Sequence, residues 1–330
     1  MTKKIIKKKF VFQSDLLQQE VHGIKFDHPV GLAAGFDYQA KLTQILPSLG
    51  FGFETIGTIT NLPYVGNPKP RMGRLIKSKS LMVNKGFKNE GIKNVIKKLS
   101  KTHFEIPIGI SIGKTNTAKL DTQKKAVEDI ISAFKIADNS KINFSYYELN
   151  ISCPNLIGNI DFYEPKNLDQ LLSAVFALKL KKPIFIKMPI SKTNEEIISI
   201  ADTVIKYPVK GIIIGNLQRD RKDRALLKEE VDKFKIGNFS GKATWDRSNE
   251  LIELVYKKYG KKLTIIGTGG IFSAKDAYKK IRSGATLVQL ISGLIFQGPQ
   301  LVADINLELV NLIKKDGFNN IKEAIGADFK

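Results

Sequence analysis

The sequence predicts a single α/β domain of the (β/α)8 TIM-barrel class, and two observations carry that expectation. Eight short runs rich in apolar and β-branched residues recur along the chain, at 30–36, 53–58, 106–112, 146–152, 183–189, 211–216, 264–270 and 286–292. Continuous runs of this length suit parallel strands buried on both faces. Amphipathic stretches of helical spacing lie between them, most clearly at 122–137, 168–181, 194–207 and 246–259. Asn194 and Asp246 read as helix starts and Gly260 as a helix stop. Alternation of this kind gives either a doubly wound sheet or a closed barrel. Eight strands, with the turns described below, favour closure.

The flanking segments follow from that frame. Residues 1–26 are expected to form a short basic lead-in or barrel plug, and residues 27–330 a single barrel domain. Insertions at 59–105 and 217–245 follow the second and sixth strands. Both therefore belong to the C-terminal face, where barrel enzymes keep their active sites.

Composition excludes several classes. One cysteine rules out an intramolecular disulfide and fits a reducing compartment. His22, His28 and His103 form no metal-ligand spacing, so no metal is expected. The apolar runs are far too short to span a bilayer. The formal charge of +21 is spread over the whole chain without a nucleic-acid motif, so nucleic acid is not an expected partner. The basic N-terminus, with Ile5, Ile6 and Phe10, allows at most a weak contact with anionic lipid. The expected location is the cytoplasm, with a peripheral place at the inner face of the membrane left open.

Chemistry concentrates at strand ends. The last two strands finish in Gly267-Thr268-Gly269-Gly270 and Ser292-Gly293, turns that let a backbone approach a phosphate. A Gly-Gly pair alone is more often a tight turn, but two such turns on consecutive strands suggest a phosphate-bearing ligand. Lys187 ends the fifth strand among apolar residues, which is costly unless an anion meets it. Ala33-Ala34-Gly35 would let a flat ring lie against the first strand. The segment Asn150-Ile151-Ser152-Cys153-Pro154-Asn155 sets the only cysteine between two amides at the end of the fourth strand. A lone cysteine is more often a small buried hydrophobe. Here a thiol able to take a proton stands beside groups able to grip a polar ring.

These pieces, in this order, resemble the dihydroorotate dehydrogenases, FMN enzymes of pyrimidine synthesis. The resemblance runs from about residue 20 to 310. It includes Gly66-Asn67-Pro68-Lys69-Pro70-Arg71, Phe239-Ser240-Gly241-Lys242 and Gln297-Gly298-Pro299. It implies FMN contacts at Ala34, Gly35, Thr58, Asn150, Lys187, Ser240, Gly241, Gly269, Gly270 and Ser292. It implies a pyrimidine substrate held by Asn84, Phe87, Asn150, Asn155 and Asn216, with Cys153 as general base. A free thiol ionises at about 8.5 and is a weak base at neutral pH unless a cation or donor lowers that value, and the rate is expected to rise through the thiol pKa. The Gly-Asn-Pro-Lys-Pro-Arg and Gln-Gly-Pro runs resemble the quinone-using branch. A cysteine base resembles the soluble branch, which uses fumarate or, through a partner subunit, NAD. The electron acceptor thus stays open among quinone, fumarate and others, and a homodimer, frequent in the soluble branch, is allowed.

The chain also departs from the family pattern. Tyr38 stands where the family has the lysine that pairs with the orotate carboxylate. Asn216-Leu217 replaces an Asn-Thr/Ser pair. Val83-Asn84-Lys85-Gly86-Phe87 is either one residue short or carries Val83 where the family has asparagine. A carboxylate unpaired in a dry pocket is expensive. Unless Lys85 or Lys41 supplies a cation, a related ring without the carboxylate is the alternative substrate.

Overall fold

The structure is a computed structural model that describes residues 2–157 and 160–329. Residues 1, 158, 159 and 330, which the expected lead-in and domain include, lie outside the described residues. Eight strands close a parallel barrel: β1 Val30–Leu32, β2 Phe53–Ile59, β3 Ile108–Ile112, β4 Tyr146–Asn150, β5 Ile184–Met188, β6 Gly211–Ile214, β7 Thr264–Thr268 and β8 Leu287–Leu290. They pair in chain order, and β8 returns to β1 through Gln289 opposite Gly31.

Six of the eight expected runs overshoot the observed strands at their C-terminal ends, for a physical reason. Gly35 (φ 119°), Gly269 (φ 106°) and Gly270 (φ 71°) occupy conformations that turn the chain out of the ladder. Ser292 leaves β8 to open the helix Ser292–Gln297. Gly35, Gly269, Gly270 and Ser292 are therefore rim turns, whereas Asn150 and Lys187 stay on their strands. Helix boundaries shift for similar reasons. Pro165 occupies the first turn of Pro165–Ala177, the position where its missing N–H costs nothing, and Lys179 (φ 51°) breaks the chain beyond it. The helix expected to start at Asn194 does so, as Asn194–Val204, with Thr193 capping it through a reciprocal pair with Glu196. The helix expected at Asp246 begins one residue earlier, at Trp245, and ends at Gly260 as expected.

The barrel interior is a packed layer of Phe53, Tyr146, Phe185, Ile213, Ile266 and Leu287. The antiparallel hairpin Gln19–Val21 and Ile24–Phe26 adds Val21 and Phe26 beneath it, with Phe26 edge-on to Phe53 at 5.3 Å. This closes the bottom and leaves only the C-terminal end open. The helix Thr2–Phe10 packs beside Leu46–Leu49, just ahead of β2, and Lys7 pairs with Glu105 ahead of β3 at 3.6 Å. It therefore flanks the strands' N-terminal ends, away from the mouth.

The two insertions meet over the mouth. Met72–Leu75 and Ser80–Val83 from the first pair antiparallel with Asn238–Gly241 from the second. Leu75, Met82, Phe239, Leu226, Val231 and Ala243 form a small core of their own behind this sheet. Burial of that apolar surface holds the sheet as a fixed wall above the barrel. Among the described residues, no helix is long and apolar enough to cross a membrane, and no cluster of side chains suits a metal ion.

Candidate active site

Between barrel mouth and sheet lies a cavity of about 270 Å³. Its floor comes from the inward-facing ends of the strands. Tyr146, Glu148 and Asn150 alternate onto the inner face of β4, and Lys187 of β5 lies in register with Asn150. Asn150 Nδ2 donates to Thr58 Oγ1 (2.7 Å), whose hydroxyl is 2.8 Å from Ser111 Oγ, which donates to Glu148 Oε1 (2.6 Å). A chain of oriented dipoles thus runs from the cavity to a carboxylate with no exposure to solvent. Lys187 Nζ stands 3.8 Å from the same Glu148 oxygen. Among the described residues its ammonium makes no hydrogen bond, although it is 5 % exposed and lines the cavity. Its ion pair with Glu148 offsets the cost of burying the charge, and its N–H donors stay uncommitted at the cavity.

Opposite this floor, the loops after β7 and β8 approach each other. Gly269, Gly270 and Ile271 face Ser292 and Gly293, and Ser240 Oγ lies 3.0 Å from Ser292 Oγ. The contacts are tight. A Cβ on Gly269 would come within 2.7 Å of Thr244 Oγ1, and one on Gly293 would strike the Ile271 carbonyl. Ala33, Ala34 and Gly35 form a smooth third wall.

The thiol and amides complete the site. Cys153, Asn155 and Asn216 line the same cavity as Asn150 and Phe87. Each of the three amide nitrogens uses one N–H on the protein: Asn150 on Thr58, Asn155 on the Val83 carbonyl (3.2 Å) and Asn216 on Ser152 Oγ. One N–H on each is left to donate elsewhere. Burial pushes the Cys153 thiol up to about 12, against the weaker downward pulls of the Asn155 backbone and the Lys187 charge. The shift is opposite to the lowering by a cation or donor that a strong base at neutral pH would need.

The structure brings Ala34, Gly35, Thr58, Ser240, Gly241, Gly269, Gly270 and Ser292 to one cavity, but it turns Asn84 away. The Asn84 amide accepts from Asn67 Nδ2 (2.9 Å) and donates to the Pro68 carbonyl (3.4 Å), while its neighbours Val83 and Lys85 line the cavity. Strand alternation is the cause: adjacent side chains take opposite faces. The sequence reading also passed over Asn67. Its side chain bonds Asn84, the Asn155 carbonyl (3.0 Å), Tyr64 (2.7 Å) and Asn116 (3.0 Å). Asn238 grips Asn155 Oδ1 at 2.7 Å. These polar residues fix the loop that carries the thiol. Their signal was the Gly66–Arg71 run, legible as a landmark but not as a hub.

The barrel thus gathers a glycine-walled end, a buried lysine and a thiol among amides into one cavity at its mouth. Comparison with known proteins names the family. The sequence model of dihydroorotate dehydrogenase matches residues 16–313, and the chain belongs to that family, whose members are oxidoreductases acting on CH–CH groups. It is 38 % identical to the dihydroorotate dehydrogenase (quinone) of Sulfurovum sp., over 98 % of this chain and 88 % of that protein. It is 40 % identical to the protein of the same name from Sulfurimonas denitrificans, over 96 % and 87 %. The ligand-free dihydroorotate dehydrogenase of Eimeria tenella superposes with a TM-score of 0.87 at 28 % identity, covering 99 % of this chain and 97 % of that one.

Proposed function

We propose that the protein oxidises dihydroorotate to orotate, with FMN as cofactor and a quinone as final electron acceptor. The observation that carries this reading is the convergence of Cys153, Lys187 and three amides with spare N–H groups on one cavity beside a glycine-walled cradle. FMN fits these residues. The Lys187 ammonium without a hydrogen bond suits the polar edge of a flavin, and the close-packed Gly269 and Gly293 suit its phosphate. Gly270, Ser292, Ser240 and Gly241 would share the phosphate end, and Ala34, Gly35, Thr58 and Asn150 the ring. When bound, FMN supplies a two-electron acceptor for hydride.

The chain's own residues do the rest. Asn150, Asn155 and Asn216 orient the pyrimidine ring through their spare N–H groups, and Phe87 packs against it. Cys153 takes a proton from the ring carbon next to a carbonyl. The neighbouring carbon loses hydride and a C=C bond forms between them. The sheet over the mouth limits water at the thiol, so the proton abstracted is the substrate's. The relatives' names specify quinone, and the apolar side of the cavity at Phe36, Ile291 and Ile295 suits an apolar acceptor. The exposed Lys3, Lys4, Lys8 and Ile5 on the helix Thr2–Phe10 suit a weak peripheral contact with an anionic membrane.

A second reading rests on Tyr38 and Leu217, which line the cavity where the family pattern has donors to a carboxylate. It makes the substrate a reduced pyrimidine without that group. An anaerobic visible spectrum decides between them. Flavin bands that bleach on dihydroorotate support the first reading. Bleaching only by dihydrouracil supports the second, and a colourless protein refutes both.

A further inference from the structure

We propose that Lys85, seated on the Tyr38 ring at the cavity rim, is the cation that binds the substrate's carboxylate. This inference rests on the dihydroorotate reading above. Lys85 Nζ lies 4.6 Å from the centre of the Tyr38 ring, and Lys88 Nζ lies 5.9 Å from it. All three residues line the cavity. Among the described residues, Lys85 Nζ has no carboxylate partner and no hydrogen bond, so its three donors are uncommitted.

The backbone explains why this lysine arrives there. Asn84 N bonds the Arg71 carbonyl at 2.8 Å and Asn67 N bonds the Lys85 carbonyl at 3.3 Å, which continues the strand past Val83. Alternation then sends Asn84 away and Lys85 into the cavity with Val83. Tyr38 offers an aromatic face where a second lysine would repel the first. Lys41 is exposed and does not line the cavity, and Lys88 stands farther from the Tyr38 ring than Lys85 does. Leu217 offers a carboxylate nothing to bond. Burial, with Lys88 close by, holds the Lys85 ammonium below its usual range, a cost that an arriving anion relieves.

The test compares orotate with uracil, the same ring without the carboxylate, by titrating the flavin absorbance of the holoenzyme. A hydrogen bond between charged groups is worth enough that Lys85→Met should lower the orotate-to-uracil affinity ratio about 10- to 100-fold. Lys85→Arg should keep the ratio within about tenfold, since a guanidinium still pairs with a carboxylate. Tyr38→Leu removes the platform but leaves the cation, and should lower the ratio severalfold. Flavin content reports whether each variant folds. An unchanged ratio in Lys85→Met with full flavin content overturns the proposal while leaving the substrate reading intact. If the wild-type flavin ignores dihydroorotate and orotate, the substrate reading falls. Benzoate, a plain planar carboxylate, then becomes the probe. Its affinity must still drop in Lys85→Met, and equal affinity overturns the inference on its own terms.

Discussion

The pH dependence of flavin reduction offers the sharpest test of the proposal that Cys153 is the base. An unperturbed cysteine ionises near 8.5, so at pH 7.5 about one thiol in ten is thiolate. Burial in this cavity pushes Cys153 up to about 12. At pH 7.5 the thiolate is then about three in 10⁵, by the same titration relation. If proton abstraction needs the thiolate, the first-order rate of flavin reduction by dihydroorotate should rise about tenfold per pH unit. The rise should run from pH 6.5 to 10 without levelling near 8.5. Anaerobic stopped-flow absorbance reads that rate directly, and a parallel titration of orotate binding separates effects on affinity. Cys153→Ala should lose about 10²–10⁴ in rate, the usual worth of a general base, and should lose the slope as well. Lys187→Met removes a charge that pulls the thiol down, so it should slow the reaction at every pH while keeping the slope. A plateau near 8.5 would sink the burial argument. A Cys153→Ala enzyme with the wild-type rate would sink the base assignment.

Three further outcomes follow from particular contacts. Gly269→Ala places a Cβ 2.7 Å from Thr244 Oγ1 at φ 106°, so purified protein should carry markedly less flavin per chain, read as the ratio of visible to ultraviolet absorbance. Lys280 is buried against Ser248 (2.6 Å), Asn249 (2.9 Å) and the Trp245 ring, and burial lowers its amine to about 7. Its folded value is below the unfolded one of about 10.4, so between these limits the unfolded chain holds a proton that the folded chain has released. Stability relative to Lys280→Met should therefore rise with pH across roughly 7 to 10.4, by at most about 1.4 kcal/mol per unit, and stay flat below pH 7. Denaturant melts at a series of pH values would show this, and a flat difference would contradict it. Asn67→Ala unties Asn84, Asn155 and Asn116 together, so it should raise the KM for dihydroorotate and lower the melting temperature, whereas an exposed Asn311→Ala should do neither.

Much of this protein was legible before folding. Parallel strands buried on both faces must be apolar throughout, so all eight barrel strands could be read as runs. The Gly269-Gly270 turn, Lys187 and the Cys153 segment were legible too, because glycine, lysine and cysteine are unusual choices at strand ends. What the sequence could not determine depends on distance and direction in space. Whether Asn84 or Lys85 enters the cavity turns on a single step of strand register, and a one-residue slip exchanges the two faces. The wall over the mouth joins Ser80–Val83 to Asn238–Gly241, partners far apart in the chain that only tertiary pairing brings together. The Cys153 pKa depends first on how much water reaches the sulfur, a property of the packed cavity, and then on the smaller pulls of Asn155 and Lys187. Sequence by itself determined the barrel, the glycine turns at its rim and the place of the thiol. The tertiary structure decided which lysine lines the cavity and how deeply the thiol is buried, because register and burial exist only once the chain has folded.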